Sequence, residues 1–303
     1  MKVITDKHNI HKYIRDSENI VACYGYFDGM HLGHKAILDA ARAEGMKRAV
    51  VTFSNSPAAF CVPGLEIKRI MSVEDKIQFI KDSGFDYLIM LAFDEEMKNM
   101  TKDEFVDKYV YGLNVKYAVV GFNYTFGKSK AGNKHDFRKL CAKNQIKVKV
   151  MRPVRCGGEI ISSTSIRRYI QNGAVKHANE MLGYYYSLSG MVIAGNKIGR
   201  SMGFPTANIA VDKEMLIPKW GVYHTNVIIN GKKYTSLTNI GDNPTLEAGK
   251  LSIETYITDF DKNIYGQTVR IQFLDFIREE KKFVDKQALK LQIAQDLARV
   301  KNH

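Results

Sequence analysis

Cysteine is scarce in this sequence, and its four copies are scattered. They are Cys23, Cys61, Cys141 and Cys156, and none stands in the Cys-x-x-Cys spacing of zinc sites. A structural zinc site and a disulfide framework are therefore not expected. No apolar run approaches the ~20 residues that span a bilayer, and residues 1–7 lack the long apolar core of a secretory signal. These absences predict a reduced, cytoplasmic protein with no membrane partner.

Acidic residues are outnumbered: 32 Asp and Glu residues face 45 Lys and Arg residues, which gives a net charge of +13. Such a balance permits nucleic-acid binding. The lysines are spread over many segments, however, and none forms a basic run interleaved with stacking aromatics. We therefore expect a solvated basic surface that attracts anionic nucleotides, without a nucleic-acid partner. The pattern leaves a homo-oligomer open.

The chain is long enough for two ordinary domains, and its halves differ in hydrophobic period. The first half alternates apolar, strand-like runs with amphipathic helical stretches, which is typical of a parallel α/β sheet. From about Tyr186 onward, short β-rich segments are separated by turns, among them the hairpin signal Asn230-Gly231. That pattern favours a small antiparallel barrel or sandwich, followed by an amphipathic helix at 286–301. The predicted domains are residues 1–184 and 185–303.

The predicted elements follow this periodicity. In the first domain the strands are predicted at 20–23, 48–53, 87–91, 117–120 and 148–152, and the helices at 34–44, 73–83, 101–110, 134–144 and 164–171. In the second domain the β segments are predicted at 187–194, 221–229, 232–238, 252–257 and 268–276. Gly84 and Gly173 follow predicted helices, where helix-ending glycines belong.

The most informative segment is residues 25–34, which read GYFDGMHLGH. It joins a predicted strand to a predicted helix, a point where backbone N–H groups and the helix dipole attract anions. Glycine lets a phosphate approach the backbone, and His31 and His34 can donate hydrogen bonds to its oxygens. A lone histidine at such a turn is more often a structural hydrogen-bonding group. The paired spacing and the adjoining Phe27-Asp28-Gly29 favour a site for a nucleoside triphosphate.

This segment resembles the HxGH signature of the nucleotidylyltransferase superfamily, and its longer form GxFDGxHxGH is similar to the bacterial FAD synthetase module. Residues 161–168, ISSTSIRR, resemble the (I)SSTxIR motif of those modules, in which Ser and Thr are typical helix N-caps and arginine offers a fork for phosphate. Taken alone, they could equally begin a capped surface helix. Residues 120–128 resemble the GxDFxFG segment, with Asn123 where Asp is common, although a glycine-bounded loop with core aromatics has the same composition.

One segment departs from the family pattern. The family favours TFxPHP after its second strand, whereas residues 52–57 read TFSNSP and lack the histidine. The departure concerns individual flavin contacts more than the class of reaction. It nevertheless leaves open an alternative, an active riboflavin kinase joined to a degenerate adenylyltransferase module.

The resemblance implies a Rossmann-like domain in which the phosphate of FMN attacks the α-phosphorus of ATP, releasing pyrophosphate and forming FAD. The nucleophile is already an anion, so catalysis should consist of positioning and charge stabilisation. His31, His34 and Arg167 would stabilise the charge on the departing pyrophosphate, while Mg²⁺ would bridge substrate phosphates. The implied nucleotide-binding residues are Gly25, Phe27, Asp28, Gly29, Gly33, Ser163 and Thr164, and the implied flavin-binding residues are Phe53, Asn123 and Phe126.

A second signal is residues 199–209, GRSMGFPTANI. Thr206 and Asn208 offer two neutral oxygen ligands, which suit a Mg²⁺ that also holds nucleotide phosphates. A Pro-Thr-Ala-Asn stretch alone is usually a turn, but the full string closely resembles the riboflavin kinase signature. Segments similar to other motifs of that family follow in order at 221–223, 239–245, 254–266 and 278–283.

This second resemblance implies a small β-barrel kinase with a C-terminal helix and without a P-loop or a protein-kinase catalytic loop. Its implied nucleotide-binding residues are Gly199, Gly203, Thr206 and Asn208, of which Thr206 and Asn208 would also hold the metal, and Arg278 would bind flavin. The riboflavin hydroxyl is neutral and needs its proton removed. Glu254 is the implied base, the alternative being a plain exposed strand carboxylate.

The two resemblances together predict a bifunctional enzyme that phosphorylates riboflavin and then adenylylates FMN, using ATP in both steps. Two rival interpretations stay open. One is another adenylyl- or cytidylyltransferase with an unrelated β domain. The other is a non-enzymatic RNA-binding or flavin-sensing protein built on the same folds.

Overall fold

The computed structural model describes residues 1–14, 18–42, 45–195, 203–242, 251–281 and 283–301. The chain divides into two compact units, Met1–Ser163 and Thr164–His303. Residues 199–202, 243–245 and 282, which belong to three of the predicted motifs, lie outside the described residues.

The first unit is built on a parallel sheet with helices between its strands. Its strands are β1 (Lys2–Ile4), β2 (Ile20–Tyr24), β3 (Lys47–Phe53), β4 (Tyr87–Leu91), β5 (Val115–Val120), β6 (Thr125–Phe126), β7 (Gly132–Asn133), β8 (Lys147–Val150), β9 (Arg155–Cys156) and β10 (Glu159–Ile160). Its helices are α1 (Leu32–Ala40), α2 (Pro57–Cys61), α3 (Val73–Asp82), α4 (Glu95–Asn99), α5 (Lys102–Tyr109) and α6 (Lys134–Lys143). Short 3₁₀ turns lie at Ile10–Lys12, Tyr111–Leu113 and Lys128–Lys130.

Six of these strands form one sheet in the order β1-β4-β3-β2-β5-β8, and every neighbouring pair is parallel. Strands β2 and β4 are buried along their whole length, because helices cover both faces of a parallel sheet. The chain moves outward from β2 in both directions, to β3 on one side and β5 on the other. The strand order therefore reverses beside β2, and ligands of open α/β sheets bind at the carboxyl ends of strands at such a point.

The second unit is a closed antiparallel barrel with helices before and after it. Its helices are α7 (Ser163–Gln171, whose first residue still belongs to the first unit), α8 (Val175–Leu182) and α9 (Lys286–Lys301). The barrel strands are β11 (Ser187–Ile193), β12 (Thr206–Val211), β13 (Gly221–Ile229), β14 (Lys232–Asp242), β15 (Leu251–Ile257) and β16 (Thr268–Arg278). They close in the order β11-β12-β15-β14-β13-β16. The predicted fold class is confirmed, and of the two predicted β architectures the barrel is the one present.

The barrel interior contains a chain of hydroxyl groups. Thr225 Oγ1 lies 2.8 Å from both Ser236 Oγ and Thr238 Oγ1, and Thr238 Oγ1 lies 2.9 Å from Thr255 Oγ1. All four side chains are fully buried, so each hydroxyl finds its partner inside the protein.

The predicted hairpin at Asn230-Gly231 is present, with φ angles of 50° and 78°, the left-handed pair that a tight turn between twisted strands needs. Helix α1 was predicted from residue 34 but begins at Leu32, because His31 caps it. Helices α2, α4 and α8 and strand β12 were not predicted. In the described part of the chain no helix combines the length and the apolar character needed to cross a membrane.

Candidate active sites

A cavity of about 560 Å³ opens at the carboxyl end of the parallel sheet. It lies where the strand order reverses, since its lining includes Gly25 after β2, Phe53 at the end of β3, and Gly121 after β5. Eight residues predicted from the sequence line this one cavity: Gly25, Phe27, Asp28, His34, Phe53, Asn123, Phe126 and Ser163. Residues from four distant segments are therefore brought together by the sheet topology.

The two histidines form a stacked pair at the start of α1. His31 caps the helix, because its Nδ1 atom accepts a hydrogen bond from the His34 backbone N–H at 3.2 Å. Nδ1 is thus an acceptor, and the neutral ring carries its proton on Nε2. The two rings stack with their centroids 3.6 Å apart and their planes 19° from parallel.

Burial keeps both imidazoles uncharged near neutral pH. It lowers the pKa of His31 to about 4. Burial, the neighbouring His31 and the charge of Lys76 together hold the pKa of His34 well below its ordinary value. In the described part of the chain, the buried Nδ1 atom of His34 has no hydrogen-bond partner. The pair therefore offers hydrogen bonds to an anion without adding net charge.

Hydrogen bonds from other segments hold the loop that precedes the histidines. The Tyr26 carbonyl oxygen accepts from Thr52 Oγ1 and from Lys76 Nζ, each at 2.9 Å. The buried Asp28 carboxylate accepts from the Ile70 backbone N–H at 3.1 Å. These bonds hold the loop in one conformation.

The same loop holds two large residues in the left-handed region of backbone conformation. Phe27 has a φ of 53° and Met30 a φ of 39°, angles that non-glycine residues adopt at a cost of about 1–3 kcal/mol. Both side chains are almost fully buried. The Phe27 ring also meets the His34 ring edge-on, with the centroids 5.2 Å apart. The packing that fixes these angles therefore also orients His34.

Two glycines of the motif are required by local geometry. Gly29 has a φ of +80°, and a Cβ there would lie 2.9 Å from Ile70 Cγ2. A Cβ on Gly33 would lie 3.1 Å from the His31 ring. These glycines thus admit the loop and the capping imidazole, and their contact with a nucleotide stays a prediction.

The SSTSIRR motif begins helix α7. Ser163 is the first residue of that helix rather than the residue before it, and its Oγ donates to the Asp28 carbonyl oxygen at 2.9 Å. The predicted capping role of its hydroxyl is therefore replaced by a bond to the loop. Thr164 and Arg167 lie on the same helix in the second unit, and their phosphate-binding roles stay predictions.

Aromatic side chains form much of the cavity wall. Phe93 meets Phe53 edge-on at 5.3 Å between centroids and Phe60 at 5.7 Å. On another part of the lining, Tyr124 stacks on Phe126 at 5.7 Å with the planes 13° apart. A wall of flat rings suits a planar aromatic ligand.

The segment that departs from the family pattern has its own internal support. The Asn55 side-chain amide donates to the Phe93 carbonyl oxygen at 2.9 Å and accepts from the Phe93 backbone N–H at 2.7 Å. Ser56 caps the short helix α2, since its Oγ accepts from the Ala59 N–H at 3.3 Å. Of the two residues that differ from TFxPHP, Ser56 therefore lines the cavity, and Asn55 supports the lining residue Phe93.

Several residues of this site were missed by the sequence analysis. Tyr24, Tyr26, Phe93 and Tyr124 line the cavity, and Lys76 is buried behind the loop. Tyr124 stood inside a recognised motif and could have been included. The signal for Lys76 was its spacing, since it precedes Ile80 by four residues and so shares the apolar face of α3.

The second site lies on the barrel, where β12 and β15 pair. Asn208 stands directly opposite Glu254, and Thr206 opposite Tyr256. Thr206 Oγ1 is 3.4 Å from one Glu254 carboxylate oxygen, and Ser252 Oγ donates to the other at 3.3 Å. The register therefore brings Thr206, Asn208 and Glu254 to one face of the sheet, as the predicted site requires.

A cavity of about 440 Å³ is lined by Thr206, whereas Asn208 and Glu254 do not form part of its wall. It is lined from several predicted motifs: Pro205 and Thr206, then Phe260, Asp261, Lys262, Asn263 and Tyr265. Gly203, with a φ of +86°, lies in the turn before Pro205. The predicted nucleotide residue Gly199 lies outside the described residues.

Arg278 forms an ion pair within the second unit. Its Nε and Nη2 atoms both lie 2.9 Å from Asp296 Oδ2, and Asp296 is buried. The pair joins the end of β16 to α9. The predicted contact between Arg278 and flavin stays a prediction, while its ion pair with the helix is a structural finding.

The oxygens on the β12–β15 face fit a magnesium ion. Thr206 supplies a hydroxyl and Asn208 an amide oxygen, and hard oxygens of this kind are the ligands that Mg²⁺ prefers. With two neutral protein donors, the set leaves room for nucleotide phosphates. Such an ion would neutralise phosphate charge where the nucleotide meets its acceptor.

Comparisons with known proteins cover both units. The family model for FAD synthetase matches residues 13–165, and that for riboflavin kinase matches residues 182–303. The bifunctional riboflavin kinase/FMN adenylyltransferase of Listeria monocytogenes is 37% identical over 92% of this chain and 90% of its own length. The protein of that name from Bacillus subtilis is 34% identical, with coverages of 98% and 96%.

A crystal structure described as a macrolide-efflux protein from Streptococcus pneumoniae shares the fold. It is 32% identical, with a TM-score of 0.89, and the match covers 100% of this chain and 99% of that one. The likeness in sequence and fold therefore extends over both units.

Proposed function

Because the chain belongs to the bifunctional riboflavin kinase/FMN adenylyltransferase family, we propose that its two sites catalyse successive steps of flavin-cofactor synthesis. The barrel site phosphorylates riboflavin to FMN, and the parallel-sheet site adenylylates FMN to FAD, each with ATP. The observation that carries this proposal is that each unit holds its own cavity lined by its own set of motif residues. The small-molecule partners are ATP, riboflavin and FMN. The cytoplasmic location and the absence of other partners remain predictions of the sequence.

At the parallel-sheet site the incoming FMN phosphate is an anion and needs no base. It displaces pyrophosphate from the α-phosphorus of ATP, so negative charge grows on the leaving group. His31 and His34 are the proposed donors to that charge, together with Arg167. Because both imidazoles are neutral and held by stacking and capping, their N–H groups are already oriented before substrate binds.

The aromatic lining of the same cavity is the proposed flavin wall. Phe53 and Phe126 were predicted as flavin contacts, and both line the cavity, as does Asn123. The isoalloxazine ring is flat and aromatic, so edge-on and stacked phenyl rings suit it. The wall argues against the degenerate-module alternative, because Ser56 lines it and Asn55 supports its residue Phe93.

At the barrel site the acceptor is a hydroxyl and a base is required. Glu254 is the proposed base, since its carboxylate lies 3.4 Å from the hydroxyl of Thr206, which lines the cavity. Thr206 and Asn208 are the proposed Mg²⁺ ligands, and Gly203 belongs to the proposed nucleotide-binding turn. The metal would lower the charge repulsion between the nucleotide and its acceptor.

The testing experiment supplies the full-length protein with riboflavin, ATP and Mg²⁺ and separates the flavin products by chromatography. We expect FMN first and FAD second, with pyrophosphate released in proportion to FAD. A protein that stops at FMN has a degenerate first module. One that leaves riboflavin unchanged but adenylylates or cytidylylates another substrate contradicts the proposal, as does a flavin-binding protein without products.

The domain boundary at 184/185 stays a prediction of the sequence. Along the chain, the first compact unit ends at Ser163 and the second begins at Thr164. The two family models leave residues 166–181 uncovered. Helices α7 and α8 occupy this interval. Truncation shows which of the two units needs these helices for its stability.

A further inference from the structure

A buried lysine lies behind the loop of the parallel-sheet site. Lys76 is on α3 and is only 4% exposed. Lysine is almost never fully buried unless it is paired, because removing an ammonium group from water is costly. A buried lysine on the apolar face of a helix therefore needs interactions that offset the cost of burying its charge.

The contacts of its ammonium group point to the loop. Nζ donates to the Tyr26 carbonyl oxygen at 2.9 Å and lies 4.6 Å from the centroid of the Tyr26 ring. The same oxygen also accepts from Thr52 Oγ1 at 2.9 Å. Tyr26 directly precedes Phe27, whose φ is positive. Its carbonyl oxygen thus accepts from one charged donor, Lys76, and one neutral donor, Thr52.

The charge of Lys76 also reaches the histidine pair. It contributes to the lowered pKa of His34. The charged groups around Lys76 are Asp28, which raises its pKa, and Arg69, which lowers it. Burial is the largest influence, and the pKa of Lys76 falls to about 8.

We propose that Lys76 is a positioning residue of the adenylylation site, whose ammonium fixes the Tyr26 carbonyl and supplies a buried positive charge behind the histidine pair. The proposal rests on the proposed function of this site. Since His31 and His34 are neutral, they add donors but no net charge for a polyanionic nucleotide. The Lys76 ammonium supplies positive charge near the pair, of which Asp28 offsets a part and to which Arg69 adds. A bound anion in turn offsets the cost of burying the ammonium.

Three variants of the full-length protein separate charge from hydrogen bonding. Lys76→Gln keeps a donor, on a side chain one bond shorter, and removes the charge, whereas Lys76→Arg keeps the charge. Thr52→Val is the matched control, because it removes the neutral donor to the same oxygen. We expect kcat/KM for FAD formation from supplied FMN to fall about 10–100-fold in Lys76→Gln. Lys76→Arg should recover most of that loss, and Thr52→Val should lose less than Lys76→Gln.

The pH dependence supplies a readout that a purely structural role would not change. In the wild type, kcat/KM for FAD formation should fall as the pH rises through about 8, since the amine then loses its proton. Phosphates titrate well below this range. The falling limb should be absent from Lys76→Arg, which stays charged, and present in Thr52→Val. These pH profiles of the wild type, Lys76→Arg and Thr52→Val test the proposal even where Lys76→Gln does not fold.

Two results would overturn the proposal: wild-type rates in Lys76→Gln, or an unchanged falling limb in Lys76→Arg. Riboflavin phosphorylation in the same samples is the internal control and should not respond to these changes. A wild-type protein that forms no FAD at any pH would instead contradict the proposed function of the site.

Discussion

The two sites are built on different kinds of backbone structure. In the parallel-sheet unit, the proposed site residues lie on loops after strand ends and at the starts of helices, and the loop before the histidines is held by hydrogen bonds and two left-handed residues. In the barrel unit, Thr206, Asn208 and Glu254 lie within regular strands and meet through pairing register. A loop can surround a phosphate chain with donors, whereas a pleated face places a base and metal ligands side by side. The contrast follows from the nucleophiles, one already an anion and the other a neutral hydroxyl.

The strongest way to separate the two sites is to remove the histidine pair. His31→Asn with His34→Gln keeps a helix-capping acceptor at residue 31 but removes both imidazoles. Losing one oriented donor costs about 10²–10³-fold in comparable sites, so FAD formation should fall by more than that. FMN formation should be unchanged. Full FAD output from the folded double variant would remove these histidines from the mechanism.

The reciprocal test is Glu254→Gln, which keeps the size of the side chain and its bonding reach. Loss of a general base lowers a rate by about 10²–10⁴-fold, and riboflavin phosphorylation should fall by that order. Conversion of supplied FMN to FAD should not change, because its nucleophile needs no base. Nucleotide binding at the barrel, measured by calorimetry with Mg²⁺, is the control for an intact site. Parental kinase turnover would leave Glu254 as an ordinary strand residue.

Truncation tests how far the two regions are independent. Helix α8 packs on β16, and Asn179 bridges it to the barrel by donating to the Phe273 carbonyl oxygen at 2.8 Å and accepting from the Tyr186 N–H at 2.7 Å. Residues 164–303 should therefore unfold at a higher temperature than residues 185–303, which lose the buried Met181 and Leu182. Each such side chain contributes about 1.5–3 kcal/mol.

Both fragments are predicted to convert riboflavin to FMN and to form no FAD. Thermal unfolding and a product assay check these expectations. Equal stability of the two fragments would place α8 with the first domain, in agreement with the proposed boundary at 184/185.

The smallest expected effect concerns the rebuilt cavity wall. Asn55→Leu removes both bonds to the Phe93 backbone at nearly constant size. Because both bonds are exposed, the lower value of about 0.5 kcal/mol applies to each, and the KM for FMN in FAD formation should rise roughly fivefold. Ser56→Ala, which loses the cap of α2, is the matched comparison within the same segment. A raised KM for riboflavin in the kinase reaction would show that the change is not confined to this wall.

Much of the fold could be predicted because local sequence carried it. The continuous apolar runs of β2 and β4 indicated a sheet covered on both faces, and Asn230-Gly231 indicated a hairpin. Strand β12 was missed because a Gly-Pro segment precedes it, which favours a loop. Helix α8 was missed because it is only eight residues long and lies between glycines.

By itself, the sequence determined the order of the two units, the strand–loop–helix around the histidine pair and the identity of most proposed site residues. These features depend on neighbours within a few positions, where spacing is set by the helix and strand repeats. Only the tertiary structure decided which distant residues meet: Asn208 opposite Glu254, Asn55 on the Phe93 backbone, and Lys76 beneath Tyr26. Such contacts depend on strand register and on how helices cover the sheet, and a polar side chain carries no local mark of being buried.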